Sequence, residues 1–424
     1  MIQMTYRPAT GVPVAVDQEI AGKRLLILGA GLWQVEYIRH ARRLGVETWV
    51  TDWSPTAAGR PEADHFEPID LTDADATVAF ARRSRIDGVL TAADVGVPTA
   101  AHVSAALSLP GHSETLALDA TNKLRMRRRS EALGIPCPVY RAVNSAAEAD
   151  SHASGPGPVI VKPVDGWSSR GVRFVADRGE LRPAVENALQ ASRVGQALIE
   201  EFLVGTEGSV EALVQDGAVT ILGICDKTKS TLPYRYDLEL RYPGAYDDTV
   251  WREVEGLARR VVGGFGIVNG IIHIEFLVSG DTGRVYLIEF AIRGCGSKVV
   301  THLMPALTGL DVIRVLIRQA FGLQTSLHVD PPRALNGALH FLLFPPGRVT
   351  RVRGLDEAGR VPGVIDVCVE PAAGDVIDRV VDGRSRPGHL LVAAETGRAV
   401  QQAISRVREL VRLDYEHAAD VAPL

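Results

Sequence analysis

The sequence predicts a multidomain chain of α/β and α+β class, with a doubly wound α/β domain first and an α+β unit last. Three observations predict it. From Lys23 the residues run RLLILGAG, an apolar strand ending in glycines, then LWQVEYIRHARRLG at helical spacing, then VETWVTD, which together make a βαβ unit. The middle carries short apolar strands, such as PVIVKP and YLIEF, that hold a lysine or a glutamate beside glycine-rich loops. The end carries glycine-punctuated strands, ALHFLLF, DVCVEP and HLLVAAE, closed by the helix AVQQAISRVRELVR.

Each block follows in order. The start, MIQMTYRPATGVPVAVDQEI, has no basic stretch followed by an apolar run, so residues 1–21 are read as a tail rather than a targeting segment. DGVLTAAD gives a further strand and PTAAHVSAAL a helix, so residues 22–118 read as the doubly wound α/β domain. The basic helix TNKLRMRRRSEALG opens a second block at 119, which runs to 325, and the proline pair at 331 and 332 stands near the start of the α+β block, 326–424.

Composition narrows the function. The 424 residues are 46% hydrophobic and 23% charged with a net charge of −5, ordinary for a soluble protein and without pull towards nucleic acid or an anionic membrane. A small-molecule partner is expected. No window holds 18 uninterrupted apolar residues, so no membrane span is expected. Cys137, Cys225, Cys295 and Cys368 are scattered without a CxxC pair, which suggests neither a zinc knuckle nor a disulfide framework and fits a cytoplasmic location.

Candidate site residues gather in the middle block. In PVIVKPVDGWSSRGV, Lys162 ends a strand and a loop with Ser168 and Ser169 follows; backbone N–H groups, hydroxyls and an ammonium suit nucleotide phosphates. In ALIEEFLVGTEGSVEALV, Glu200 and Glu207 are seven apart, and a hairpin there would offer backbone groups to a purine and a carboxylate to ribose hydroxyls. In IIHIEFLVSGDTGRVYLIEF two apolar strands meet at SGDTG, a hairpin signature, with Glu275 in the first strand and Glu289 in the second. A carboxylate in an apolar strand needs a partner. With alternating side chains, His273 and Glu275 share one face, while Glu289, Ala291 and Arg293 share one face of the partner strand. If those faces coincide, two carboxylates converge with an arginine beside them. Such oxygen ligands suit magnesium carried by phosphates, and the arginine fork suits a phosphate or oxyanion. The alternative is that Glu289 and Arg293 pair with each other.

Other motifs are weaker. GAGLWQ with Asp52 twenty-one residues beyond Gly31 could serve a dinucleotide, but Gln34 stands where a third glycine belongs. The run Arg125, Arg127, Arg128, Arg129 reads as a solvated helix face, and Cys295 as a packing residue.

The ordered set TNKLRMRR, VIVKP, DGWSSRGV, IEEFLVGTE and HIEF…LIEFAIR resembles the ATP-grasp superfamily, with GAGLWQ, VTDWSP and ADHFEPID similar to the domain that precedes it. CDKTKSTLPYRYDLELRYPG, PGVIDVCVEPAAGDVI and SRPGHLLVAAETG are most similar to L-amino acid ligases. The resemblance implies an ATP-grasp fold with a lid at roughly 138–204, ATP and Mg2+ (or Mn2+) as cofactors, and a homodimer. It implies that Lys123 and Lys162 contact phosphates, that Glu200, Glu201 and Leu203 line the adenine and Glu207 the ribose, and that Glu275 and Glu289 hold the metal. Arg293, His273 and Lys227 would be catalytic, with His273 facing an acyl phosphate. Where many members have asparagine two residues after the second glutamate, this chain has Ala291. The implied reaction joins a carboxylate to an amine through an acyl phosphate. The alternatives are a bicarbonate-activating carboxylase similar to N5-carboxyaminoimidazole ribonucleotide synthase, and a nicotinamide oxidoreductase or nucleotide-binding regulator built on GAGLWQ.

Overall fold

The computed structural model describes residues 15–150, 157–327 and 335–416. The first strands, β1 (Arg24–Leu28), β2 (Glu47–Thr51), β3 (His65–Glu67) and β4 (Gly88–Thr91), form a parallel sheet in the order β3-β2-β1-β4. Helix α1 (Val35–Arg43) connects β1 to β2, α2 (Ala74–Arg83) connects β3 to β4, and α3 (Val97–Leu107) follows β4. The glycine turn after β1 is a structural one: Asp52 accepts from the N–H groups of Ala30 at 2.8 Å and Ser54 at 2.9 Å. The Gln34 carboxamide folds over Gly31, 2.9 Å from where a Cβ would sit. Both carboxylate oxygens of Asp52 are thus spent on the turn, which argues against its serving a ribose.

The expected tail is corrected in its last residues. Ile20 is fully buried, and Asp17 holds Arg314 and Arg318 at 3.0 and 2.9 Å. Those arginines belong to a helix some 300 residues later, so segment 17–21 is a strap between distant parts of the chain; the first 14 residues and the proline pair lie outside the described residues.

After α4 (Glu114–Thr121), the basic helix α5 (Lys123–Ala132) is capped by the Asn122 side chain, which accepts from the Arg125 N–H. Four strands then form a small antiparallel sheet, β5 (Tyr140–Val143), β6 (Val159–Pro163), β7 (Arg173–Val175) and β8 (Ala197–Glu201), in the order β5-β8-β6-β7. It is backed by α6 (Ala146–Asp150) and α7 (Leu181–Ala191), whose Leu181, Ala184, Val185 and Ala188 recur at helical spacing and bury against Val159, Val161 and Ile199.

The largest sheet has eight strands: β9 (Gly205–Gln215), β10 (Ala218–Lys229), β11 (Asp237–Tyr242), β12 (Gly270–Ser279), β13 (Val285–Ala291), β14 (Asn336–Leu342), β16 (Val364–Val369) and β18 (Gly388–Ala394). Its order is β13-β12-β9-β10-β11-β14-β18-β16. Helix α8 (Asp248–Phe265) covers β9, β12 and β13 through Val254, Leu257, Val261 and Phe265. After a single π turn, Val299–Leu303, come α9 (Met304–Thr308) and α10 (Val312–Ala320); α10 packs against α1 and β4 of the first domain. The remaining C-terminal elements are β15 (Gly347–Arg353), α11 (Leu355–Ala358), β17 (Val376–Ile377), α12 (Gly397–Leu410) and β19 (Arg412–Tyr415).

The last block makes a three-stranded sheet of its own, in the order β17-β15-β19, and also extends the central one, since β14 pairs with β11 from Glu239↔His340 to Tyr242↔Gly337 and is followed by β18 and β16. One sequence expectation changes here. The segment around Glu200 and Glu207 is not a hairpin. β8 and β9 enter different sheets, and the connector 202–204 is where the chain crosses from one to the other.

No single helix among the described residues is long and apolar enough to cross a membrane.

Candidate active site

The small sheet faces the central sheet across a cleft. Lys123, Lys162, Ser168, Ser169, Glu200, Glu201, Leu203, Glu207, Glu275 and Glu289 all line it. Arg293 lines an adjoining cleft with Asp94, Trp167 and Lys123, whereas His273 and Lys227 lie buried behind the wall.

The hairpin of β12 and β13 sets the metal candidates. Glu275 stands directly opposite Glu289, and His273 opposite Ala291, so their side chains share a face as alternation requires. The bulge falls between Glu275 and Phe276, after the pair. Glu289 accepts from Lys123 Nζ at 3.1 Å and Glu275 from Lys227 Nζ at 2.8 Å. Burial opposes charge on Glu275, yet Lys227 and His273 outweigh it and hold the carboxyl well below the usual range. Lys227 is held above the ordinary lysine value by Asp237 and Glu275, which outweigh its burial. These converging carboxylates are a donor set that fits a hard divalent cation.

Arg293 does not pair with Glu289. Its guanidinium forks onto Asp94, Nε to Oδ1 at 2.9 Å and Nη2 to Oδ2 at 2.6 Å. Asp94 follows β4, at the carboxyl end of a parallel strand where ligands of such sheets sit.

Lys123 also donates to the Gly166 carbonyl at 2.6 Å, at the start of the glycine-rich loop. Ser168 and Ser169 take left-handed φ values of 55° and 57°, a strained conformation kept where surroundings enforce it. They do: the Ser168 carbonyl accepts from Gly383 N–H at 2.9 Å, and Ser169 Oγ donates to the Arg235 carbonyl at 3.4 Å.

Glu200 departs from its expected role. Its carboxylate, 3% exposed, clamps Arg127 Nε at 2.9 Å and Lys162 Nζ at 2.6 Å. Burial opposes its charge, but Arg127 and Lys162 keep the carboxyl below its ordinary value. Glu200 is therefore an ion-pair anchor in the floor of the cleft. Arg127 is fully buried with it, which corrects the reading of the basic run as wholly solvated; Arg125 pairs with Asp119 and Arg129 caps the Gly264 carbonyl. Glu201 turns its carboxylate to the Val139 N–H at 2.8 Å, while Leu203 lies on the connector. Glu207 pairs with Lys229 at 2.8 Å and with Arg235.

His273 does not face the cleft. Its Nδ1 meets Glu211 and its Nε2 lies 3.3 Å from Glu275 Oε1. Burial works against its charge, but Glu211 outweighs it and lifts the imidazole to about 9. Glu211, His273 and Cys295 bring ligand atoms within 4.8 Å of one another, but the first two already satisfy each other. Burial and Glu211 push the Cys295 thiol well above its usual value, so it is not an activated nucleophile.

Residues missed by sequence reading are Asp94, Glu211, Lys229, Arg235 and Asp237. Lys229 was the legible one: it sits two residues beyond Lys227 on one strand, hence on the same face. Lys227, Lys229 and Arg235 alternate with Glu207, Asp237 and Glu275 in one network, Lys229 meeting Asp237 at 2.9 Å.

With this geometry in view, residues 38–111 match the model of the ATP-grasp N-terminal domain, 156–302 that of the ATP-grasp domain, and 340–416 that of the L-amino acid ligase C-terminal domain 2. An uncharacterized protein of Sinorhizobium fredii, y4rH, is 26% identical over 386 residues, covering 88% of this chain and 79% of its own length. The formate-dependent phosphoribosylglycinamide formyltransferase of Burkholderia pseudomallei is 27% identical over 368 residues, 82% of this chain and 85% of that one. The crystal structure of an L-amino acid ligase from Bacillus licheniformis shares the fold with a TM-score of 0.81 at 24% identity, covering 94% of this chain and 100% of the other.

Proposed function

We propose that this chain, an ATP-grasp protein with the C-terminal domain of L-amino acid ligases, is an ATP-dependent ligase that joins the carboxylate of an amino acid or related acid to an amine. The observation that carries the reading is the register of the hairpin: Glu275 and Glu289 oppose each other beside Lys123 and Lys227, in a cleft closed by a glycine-rich loop.

ATP enters between the two sheets, with its adenine end towards the connector 202–204 and its phosphates towards Lys123, Lys162 and the loop with Ser168 and Ser169. Glu207 receives the ribose once Lys229 and Arg235 turn to the phosphates. Glu275 and Glu289 would hold magnesium, which when bound neutralises charge on the phosphate oxygens; manganese accepts the same oxygen donors. A substrate carboxylate oxygen attacks the γ-phosphorus, the bond to the β-phosphate oxygen breaks, and ADP leaves. The product is an acyl phosphate. Arg293, held in place by Asp94 and the Gly294 carbonyl, brings its positive charge and its remaining N–H groups to the oxygens on which charge gathers. The amine then attacks the acyl carbon, phosphate departs, and the nitrogen's surplus proton passes to solvent or to the leaving phosphate. The glycine-rich loop, held by Gly383 and Arg235, keeps water from the anhydride.

The test is ADP release from ATP and magnesium with each common amino acid, alone and in pairs, and separately with bicarbonate, with mass spectrometry of the product. Amino-acid-dependent turnover with an amide product is expected. Turnover that needs bicarbonate instead would assign the chain to the carboxylases.

A further inference from the structure

Three neighbouring strands place one row of side chains behind the proposed metal site. Glu211 on β9 stands opposite His273 on β12, which stands opposite Ala291 on β13; in the next row on the same face Ser209, Glu275 and Glu289 line up in the same way. Glu211 is 0% exposed, and among the described residues no lysine or arginine pairs with it. Such a carboxylate is costly unless every oxygen is satisfied. Both are: Oε1 meets His273 Nδ1, and Oε2 accepts from the Cys295 N–H at 3.0 Å. Cys295 lies two residues beyond Arg293, on the loop that carries it.

The second imidazole nitrogen reaches forward. His273 Nε2 lies 3.3 Å from Glu275 Oε1, the same oxygen that takes Lys227 Nζ at 2.8 Å. Two donors thus fix one oxygen, and among the described residues none donates to Oε2. A carboxylate held by one oxygen has its rotamer set and presents the other outwards.

We propose that Glu211 and His273 are a positioning pair, which orients Glu275 as a metal ligand and couples it, through the Cys295 backbone, to the loop that bears Arg293. The inference rests on the functional reading above. Neither residue touches the nucleotide or the reacting atoms. The pair gives one rigid link between the two halves of the site: the metal carboxylate on β12, and the guanidinium just past the end of β13.

The test measures ADP affinity by calorimetry with and without Mn2+, in the full chain and in Glu211→Gln and His273→Gln. Both variants are expected to keep their metal-free ADP affinity within about twofold and to lose the enhancement by Mn2+ by roughly tenfold or more, the usual effect of removing a group that orients a metal ligand. A role in packing alone would not separate the two affinities. Because a single replacement leaves a buried polar partner unpaired, the double variant Glu211→Gln with His273→Asn, in which both charges go together, is measured beside them, and thermal melting identifies the folded proteins. Folded variants with full Mn2+ enhancement overturn the pairing. So does an equal loss with and without metal. If the unaltered protein shows no Mn2+ enhancement, the metal assignment under the functional reading falls first, and this inference with it.

Discussion

Glu200 and Glu289 look alike as letters, each a carboxylate set in an apolar strand, but their neighbours divide them. Glu200 is closed in by Arg127 and Lys162, whereas the Glu289 side chain is 30% exposed and meets a single lysine. Two replacements separate the roles. Arg127→Met leaves a buried carboxylate short of a partner and is expected to cost about 3–5 kcal/mol in a denaturant titration. Glu289→Ala is expected to keep its stability within about 1 kcal/mol while ATP turnover falls at least ~100-fold, the upper range for altering a metal's surroundings. Normal turnover in Glu289→Ala would remove the hairpin from the metal site. The difference was not legible from local sequence, because Arg127 reaches Glu200 from 73 positions away.

Elements succeed or fail as readings according to how local their cause is. The hairpin of β12 and β13 was legible because its turn, its alternation and both glutamates lie in one segment. The supposed hairpin of Glu200 and Glu207 failed because strand propensity does not say which sheet a strand joins. The seam between β11 and β14 was equally hidden, since its partners are about a hundred residues apart. At that seam Glu239 is flanked by His340 at 2.8 Å and by Arg241. Burial opposes its charge, but the hydrogen bonds from His340 and Arg241 prevail and hold the carboxyl at about 2, against an ordinary 4.5. A folded value below the unfolded one stabilises the protein above pH 4.5, and that contribution is lost as the pH falls from there towards 2. Glu239→Gln is expected to remove roughly 1–2 kcal/mol at pH 7, after allowance for solvent screening at the partly open seam, and less than half as much at pH 3. Melting curves at both pH values check this, and an equal loss at both would contradict it.

At the scale of the molecule, three units converge on one place. The first domain contributes Asp94 to Arg293, the small sheet contributes Lys162 and the glycine-rich loop, and the C-terminal part contributes Gly383 to that loop and Asp366 to Lys298 at 2.7 Å. His389, bonded to Asp366 at 2.8 Å, packs edge-on against Trp33 of the first domain, with ring centroids 5.3 Å apart. The fold class and most cleft-lining residues were readable because motifs in a fixed order carry them. Asp94 and Glu211 were not, because each gains its meaning from a residue brought close only by the finished fold.

The central claim is that a carboxylate is activated by phosphoryl transfer and then captured by an amine. The most direct measurement uses the accepted amino acid with its carboxylate labelled with 18O, and analyses the phosphate released during ligation. Transfer through an acyl phosphate leaves one labelled oxygen in each phosphate per amide formed. Phosphate without label, released in step with product, would contradict the account.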